Sequence, residues 1–269
     1  MQPSDFAFNV TQSLGGKRWK WRDVDARLAQ AISQRQGLSE LAGRLLAARV
    51  ESLDGVDDYR EPKLRNLLPN PSFFQDMDKA AERVAKAVID GEKIALFGDY
   101  DVDGATSTAL LRRLLQSAGC EPLVHIPDRI QEGYGPNTPA LERLAGEGVS
   151  VVIFLDCGTT AFSQLEAGAA RGLASIVLDH HTAEARLPEA VGIVNPNRLD
   201  QEAGFGQLAA VGVAFVFAVA LNRALRDAGR QPQVNLLDLL DLVALGTVCD
   251  VVPLTGLNRA FVQQGLKVM

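Results

Sequence analysis

The stretch VSVVIFLDCGTTAFSQLEAGAARGLASIVLDHH, residues 149–181, determines the fold class. It begins with a short apolar run, continues through a segment with a helical pattern, and ends with a second apolar run. Runs that alternate with helices predict β–α–β units, and nearly continuous apolar runs are typical of parallel strands buried on both faces. An aspartate follows each run, at positions 156 and 179.

The same alternation begins at Lys93. Four strand-type runs alternate with helical patterns up to Asp179, and the pattern then becomes helical over residues 207–228 and 235–248. We therefore predict an α/β fold in which helices flank both faces of a parallel β-sheet.

Residues 1–75 lack a clean strand pattern, and we expect them to form a mostly helical N-terminal extension and connector. The main domain is predicted over residues 76–269, beginning with an amphipathic helix that ends at Gly91. Within the extension, KRWKWRD places Trp19 and Trp21 among basic residues. Such tryptophans can stack on bases, although they more often pack a terminal arm onto the body of a protein.

The composition limits the function classes. The net charge is −6, whereas a protein that neutralises phosphates with Lys and Arg alone is usually basic. Three scattered cysteines without CxxC spacing predict neither a zinc knuckle nor a disulfide framework. The start lacks a signal-peptide pattern, and the apolar stretch 208–221 is too short to span a bilayer, so it predicts a core helix. We expect a cytoplasmic setting and no membrane partner.

Acidic residues follow the predicted strands, where open parallel sheets bind their ligands. One such aspartate is usually a helix cap, but a convergent set would be repulsive unless a divalent cation neutralised it. An oxygen-rich site with one or two imidazoles suits Mn²⁺ or Mg²⁺. The candidate residues are Asp99, Asp101, Asp103, Asp156, Asp179, His180, His181 and Asp250.

The loop HIPDRIQEGYGPN, residues 125–137, contains two further candidates. The planar fork of Arg129 matches a phosphate group, but an ion pair with Asp128 or Glu132 is an equally good interpretation. His125 lies inside an apolar run, which favours a core or supporting position over a role as metal ligand.

Four motifs show a family resemblance. GDYDVDG, FLDCGTTA, VLDHH and LGTVCDVVPL resemble, in this order, the motifs of the DHH phosphoesterase superfamily. Their context, including LLPNPSFFQDMDKAAERV, IPDRIQEGYGPN and NPNRLD, is similar to the RecJ family of bacterial single-stranded-DNA-specific exonucleases over most of residues 60–260. Phe97 stands where several members of the superfamily have a histidine, which argues for the RecJ branch and against a pyrophosphatase.

The resemblance implies two-metal hydrolysis of phosphodiester bonds. It implies that Asp156 bridges two ions, that Asp101 holds one of them, and that the other is held by Asp103, His180 and Asp250. Asp179 is expected to orient His180 without contacting the metal. His181 is expected to contact the scissile phosphate or a bound water. Asp99 is expected to be a catalytic residue together with Asp156 and His181. Arg129 would hold a 5′-terminal phosphate.

The resemblance further implies 5′→3′ degradation of single-stranded DNA in DNA repair and recombination, with single-strand-binding protein and a RecQ-type helicase as partners. Members of the family continue into a second catalytic-half domain, DHHA1, and an OB-fold, which would follow residue 269. We therefore expect residues 1–269 alone to be weak or inactive.

Two alternatives remain open. The chain could cleave short oligoribonucleotides or cyclic dinucleotides, as other DHH proteins do. It could also be a non-catalytic scaffold that binds nucleic acid or replication proteins, although such relatives tend to lose the metal-site residues retained in this sequence. A dehydrogenase is disfavoured because no GxGxxG follows the first strand.

Overall fold

The computed structural model describes residues 6–269 and divides the chain into two compact units, the first ending at Glu61 and the second spanning Pro62–Met269. The first unit is helical, as predicted. Asp25 begins its first helix by accepting hydrogen bonds from two backbone N–H groups, and Gly37 ends that helix in the left-handed conformation. Its helices are α1 (Ala26–Gln36), α2 (Glu40–Ala47) and α3 (Gly55–Arg60).

The second unit is the α/β domain. Its strands are β1 (Lys93–Gly98), β2 (Leu123–His125), β3 (Val149–Leu155), β4 (Ala174–Leu178) and β5 (Gly192–Val194). Its helices are α4 (Leu64–Leu67), α5 (Met77–Asp90), α6 (Val102–Ser117), α7 (Thr138–Gly146), α8 (Phe162–Ala169), α9 (Ala210–Asp227), α10 (Leu240–Cys249) and α11 (Gly256–Val268).

The five strands form one parallel sheet in the order β2-β1-β3-β4-β5. The chain goes from β1 to β2 on one side and returns to β3 on the other side of β1. Such a reversal creates a crevice at the carboxyl ends of the two strands, which is the usual ligand site of open α/β sheets. The sequence pattern did not predict β5, because no helix separates it from β4 and the alternation of strands and helices therefore does not mark it.

Helices cover both faces of the sheet, as predicted. Along β1, Ile94 and Leu96 belong to a core that includes α5, α6 and α9, whereas Ala95 and Phe97 belong to a second core with α7 and α8. Alternate side chains of a strand point to opposite faces, so this division places the two helix groups on opposite sides. The sheet is therefore buried on both faces, which explains its continuous apolar runs.

The apolar stretch after position 207 forms α9, and most of its side chains are buried in the first of these cores. This confirms the predicted core helix. Among residues 6–269, no helix combines the length and apolarity that crossing a bilayer requires.

The connector packs with the second unit. Phe74 is buried in the main core, and the ring of Phe73 lies edge-on to that of Phe205, with 5.3 Å between the centroids. The connector belongs to the compact unit that begins at Pro62, and the domain boundary at residue 76 stays a prediction. Prolines and asparagines mark a connector, but the two phenylalanines that follow them, Phe73 and Phe74, anchor it to the core.

Candidate metal centre

Three aspartates extend the hydrogen-bond ladder by one residue beyond the strands. Asp99 follows β1, Asp156 follows β3, and Asp179 follows β4. The amide of each donates to the carbonyl of the last residue in the neighbouring strand, over 3.0–3.1 Å. Because the strands are parallel, the three carboxylates therefore lie along one edge of the sheet, at the reversal of strand order.

The start of α6 contributes two more carboxylates. Asp101 caps the helix by accepting from the amide of Gly104 at 2.9 Å, and Asp103 lies in the first turn. A Cβ atom on Gly104 would lie 2.6 Å from backbone atoms of Asp99, so only glycine permits this close approach.

The N-terminus of α9 holds Asp103 in place. The two carboxylate oxygens of Asp103 accept hydrogen bonds from the backbone amides of Ala210 and Val211, at 2.6 and 2.8 Å. Free amides at a helix N-terminus favour a negative charge, so the apolar helix α9 also positions an acid of the site.

Two residues of the site region have a strained backbone. Asp156 has a φ of +63°, and Val251, directly after Asp250, has a φ of +62°. The left-handed region is unfavourable for a β-branched residue such as valine. Strain of this kind is typical of functional sites, where the surrounding structure enforces a required geometry.

His180 lies at the centre of the acidic cluster. Its Nε2 is 3.3 Å from Oδ1 of Asp156 and 4.0 Å from Oδ2 of Asp103, and its Nδ1 is 3.7 Å from Oδ2 of Asp250. Its side chain is only 13% exposed, compared with 47% for His181. His180 is thus surrounded by acids, whereas His181 is open to a ligand.

Asp179 orients His181 and not His180, which corrects the expectation from sequence. Oδ1 of Asp179 lies 2.7 Å from Nδ1 of His181 and also accepts hydrogen bonds from the amides of both histidines. Since Asp179 folds back over its own turn, its carboxylate contacts the imidazole of His181, whereas it contacts only the backbone amide of His180 among residues 6–269. Although burial raises the pKa of Asp179, the hydrogen bond and charge of His181 hold it below its usual value, and the same hydrogen bond raises the pKa of His181.

Three overlapping groups could each hold a metal ion, with donor atoms within 4.8 Å of one another. Asp101 and Asp103 belong to different groups, whereas Asp156 and His180 each belong to two of the three groups. The groups are Asp99–Asp101–Asp156, Asp103–His180–Asp250 and Asp156–His180–His181.

Unpaired oxygens show that these residues fit a cation. Oδ1 of Asp99, Oδ1 of Asp156 and Oδ2 of Asp250 are buried, yet they accept no hydrogen bond from any of residues 6–269. A buried acceptor without a partner costs free energy, and a metal ion is the partner that a set of carboxylates and imidazoles suits best.

Electrostatics lead to the same conclusion. Burial, together with the charges of Asp103 and Asp101, raises the pKa of Asp156, and burial raises the pKa of Asp103 to about 6. Burial also raises the pKa values of Asp99 and Asp250. With protein atoms alone the cluster resists full ionisation, so a divalent cation would supply the missing positive charge.

The loop after β2 places Arg129 near the acidic turn without an ion pair. Among the described residues, its guanidinium lies over the ring of Tyr100, 5.2 Å from the centroid, and forms no ion pair with Asp128 or Glu132. Glu132 instead contacts His125, 3.1 Å away. Arg129 therefore lies beside Tyr100, which follows Asp99, and no carboxylate in the described part of the chain pairs with its charge.

Three supporting residues were not predicted. The hydroxyl of Tyr134 donates to the carbonyl of Asp156 at 3.1 Å, and burial raises the pKa of Tyr134. Asn195 donates to the carbonyl of His181 at 2.9 Å, and Asn197 donates to the carbonyl of His180. All three lie in motifs that carried the family resemblance, but nothing in their spacing indicated these contacts.

The N-terminal domain model of the DHH family matches residues 93–247, so the chain belongs to the DHH family. It is 34% identical over 255 residues to the single-stranded-DNA-specific exonuclease RecJ of Bacillus subtilis, covering 93% of this chain and 30% of that protein. It is 38% identical over 237 residues to RecJ of Escherichia coli, covering 85% and 40%. The chain therefore spans about a third of the length of these curated relatives.

Solved structures show the same likeness. The structure of RecJ from Thermus thermophilus in complex with Mn²⁺ matches with a TM-score of 0.70 at 28% identity, covering 90% of this chain and 33% of that one. A manganese-bound exonuclease RecJ matches with a TM-score of 0.65 at 35% identity, covering 75% and 49%. The family resemblance and the predicted fold class are thus confirmed.

Proposed function

We propose that this chain carries the metal-binding half of a single-stranded-DNA-specific exonuclease that hydrolyses phosphodiester bonds in the 5′→3′ direction. The observation that carries the proposal is the convergence of three potential ligand groups around Asp156 and His180. The relatives named above support the activity and the DNA substrate.

The donor set favours Mn²⁺ or Mg²⁺. Asp99 and Asp101 would hold one ion, Asp103, His180 and Asp250 a second, and Asp156 would bridge them. Bound ions would lower the pKa of a coordinated water and stabilise charge on the phosphoryl oxygens. The two ligand types expected for such a site, carboxylate and imidazole, are both present.

His181 is the residue available to the substrate. Its hydrogen bond to Asp179 raises its pKa, so it keeps a proton to higher pH and can donate a hydrogen bond to a phosphate oxygen. Tyr134, 3.3 Å from Nδ1 of His181, and Asn195, bonded to its carbonyl, limit its movement. We assign His181 to the scissile phosphate and Asp179 to its orientation.

Arg129 is assigned to the 5′-terminal phosphate. It is exposed, and its planar group can form two hydrogen bonds to phosphate oxygens. Its stacking on Tyr100 leaves those N–H groups free to face a ligand while limiting the mobility of the side chain.

The similarity to the RecJ relatives also supports a proposal for the biological setting. We infer a role in DNA repair and recombination in the bacterial cytoplasm, with single-strand-binding protein and a RecQ-type helicase as partners. Because the chain spans about a third of its relatives, we expect residues 1–269 alone to degrade DNA weakly.

A non-catalytic scaffold is the main alternative, and the intact ligand groups disfavour it. A phosphodiesterase for short oligoribonucleotides or cyclic dinucleotides would use the same metal centre, so substrates of different type and length must distinguish it from a DNA exonuclease.

A small diester tests the chemistry without requiring the remainder of a longer protein. Bis(p-nitrophenyl) phosphate should be hydrolysed with Mn²⁺ and not with EDTA. A 5′-labelled single strand should then release labelled mononucleotide first, whereas a 3′-labelled strand should shorten gradually. Metal binding without hydrolysis of either substrate would support the scaffold, and preferential cleavage of short RNA or cyclic dinucleotides would redirect the substrate assignment.

A further inference from the structure

The N-terminal unit has a basic and aromatic surface that the metal centre does not use. Residues 17–22, KRWKWR, combine four cationic side chains with two tryptophans, and all six are exposed. Trp19 is 49% exposed and Trp21 is 39% exposed. In a chain with a net charge of −6, this segment is a local concentration of positive charge.

The backbone of this arm is anchored within its unit. The amide of Trp19 donates to the carbonyl of Val10 at 3.1 Å, and the carbonyl of Trp19 accepts from the amide of Ala7 at 2.9 Å. The ring of Trp21 packs against Phe8, with 4.9 Å between the centroids. Trp21 therefore has the packing role that is usual for such residues, while the exposed indole of Trp19 is available to a ligand.

A cavity of about 200 Å³ lies beside Trp21, between the arm and α2. Three arginines line it, Arg22, Arg44 and Arg49, and no acidic residue does. Arg44 stacks on Trp21 at 5.0 Å, and Arg49 donates to the carbonyl of Leu45, but neither they nor Arg22 forms an ion pair among residues 6–269.

Three guanidinium groups around one small cavity give it a positive potential that a bound anion would neutralise. A phosphate group is the anion whose geometry matches several arginines, since each guanidinium can donate two parallel hydrogen bonds. The exposed indole of Trp19, two residues before the cavity-lining Trp21, offers a flat surface on which an unpaired base can stack.

We propose that the N-terminal unit contains a binding site for single-stranded nucleic acid, in which the arginine cavity holds a backbone phosphate and Trp19 stacks on a base. A single strand fits better than a duplex, because paired bases do not expose their faces. The site goes beyond the proposed hydrolytic function, since it lies in the other unit and requires no metal.

Tryptophan fluorescence tests this site directly, because Trp19 and Trp21 are the two tryptophans of the chain. Oligo(dT) added in EDTA should quench the emission of the 269-residue protein, and the dissociation constant should rise steeply with salt. A duplex of equal length should quench less. Quenching without metal separates this site from the metal centre, whose own test is Mn²⁺-dependent hydrolysis of a small diester.

Variants then identify the contacts by the anisotropy of a labelled oligonucleotide. Trp19→Ala should weaken binding about fivefold or more, and Trp19→Phe should retain part of it. Arg44→Gln and Arg49→Gln should each reduce the slope of log Kd against log salt by about 0.7. Arg35→Gln is the matched control, because Arg35 is in the same unit but pairs with Asp54 at 3.6 Å.

Two results would overturn the proposal. Strand binding that leaves the tryptophan emission and the Trp19→Ala affinity unchanged would place the strand elsewhere. Quenching by inorganic phosphate alone, with no tighter binding of the oligonucleotide, would reduce the cavity to a simple anion site.

Discussion

Two clusters of acids in the α/β unit have opposite electrostatic arrangements. At the start of α5, Asp76 is neutralised by Arg198, which also pairs with Asp200 and is itself only 7% exposed. At the carboxyl ends of the strands, Asp156 and Asp99 have buried oxygens for which the described residues provide no hydrogen-bond partner. One cluster contains its own cation, whereas the other contains only histidines.

This difference separates a structural cluster from a functional one. Arg198 joins two acids and also donates to the carbonyl of Ile193 in β5, so its cluster fixes the edge of the sheet. The acids around His180 have no such cation among them, and the raised pKa values of Asp156 and Asp103 reflect burial without a counter-charge. A permanent arginine there would occupy the space that a divalent ion needs.

The largest expected effect follows from Asp156→Asn. With Mg²⁺ or Mn²⁺ at a hundred times its dissociation constant, the parent protein should gain about 2.7 kcal/mol, or about 5–10 °C in Tm. The variant should lose this gain together with hydrolysis, because Asp156 belongs to two ligand groups. Calorimetry with and without metal measures the difference, and asparagine tolerates the positive φ at this position.

Without metal, Asp156→Asn should melt above the parent protein, because the substitution removes a carboxyl group whose ionisation the cluster opposes. A lower melting temperature in EDTA would show that the carboxylate is already compensated within the protein, and the contrast with the Arg198 cluster would be lost.

Asp179→Asn should reduce turnover by about 10- to 100-fold, the range found for partners that orient a metal-site histidine. The amide can still contact the backbone, but it cannot stabilise a protonated His181. The substitution should change kcat more than KM. The pH profile of turnover should also shift, because the pKa of His181 returns toward its usual value. An unchanged pH profile would argue for a purely structural role of Asp179.

Arg198→Met provides the comparison from the structural cluster. We expect a loss of about 2–3 kcal/mol, at the low end for a broken buried ion pair because Asp76 and Asp200 are partly exposed. The Tm increase caused by metal should persist, since Arg198 is not among the potential ligands. Loss of metal binding in a folded Arg198→Met protein would show that the two clusters are coupled.

Sequence reasoning predicted the fold because the apolar runs of β1 and β3 and the helical patterns between them are local signals. The convergence of acids was also predictable, since carboxyl ends of parallel strands share one edge. The amide contacts of Asp103 at the start of α9 could not be predicted, because they join residues more than a hundred positions apart.

The partner of Asp179 shows a second limit. Adjacent histidines look equivalent in a sequence, and only the direction of the turn after β4 decides which one the carboxylate reaches. The same holds for Arg129, whose stacking on Tyr100 depends on two loops that no periodic pattern describes.

The smallest expected effect is a pH dependence of the metal-free protein. Folded Asp103 and Asp156 have raised pKa values, about 6 for Asp103, whereas unfolded carboxyl groups titrate near pH 4. Between the unfolded and the folded pKa of each group the folded state binds more protons than the unfolded state, so stability should fall as the pH rises above about 4, and the contribution of Asp103 should be lost once the pH passes about 6. The raised pKa of His181 contributes in the same direction, and the lowered pKa of Asp179 acts only below this range.

Saturating Mg²⁺ should flatten this slope, because the ion displaces the protons and its affinity therefore rises with pH. Differential scanning calorimetry at several pH values, in EDTA and in Mg²⁺, measures both slopes, and Asp156→Asn serves as a control with a weaker slope in EDTA. Equal slopes with and without the ion would mean that protons and metal do not compete for these carboxylates, in which case the unpaired oxygens at the strand ends would need another partner.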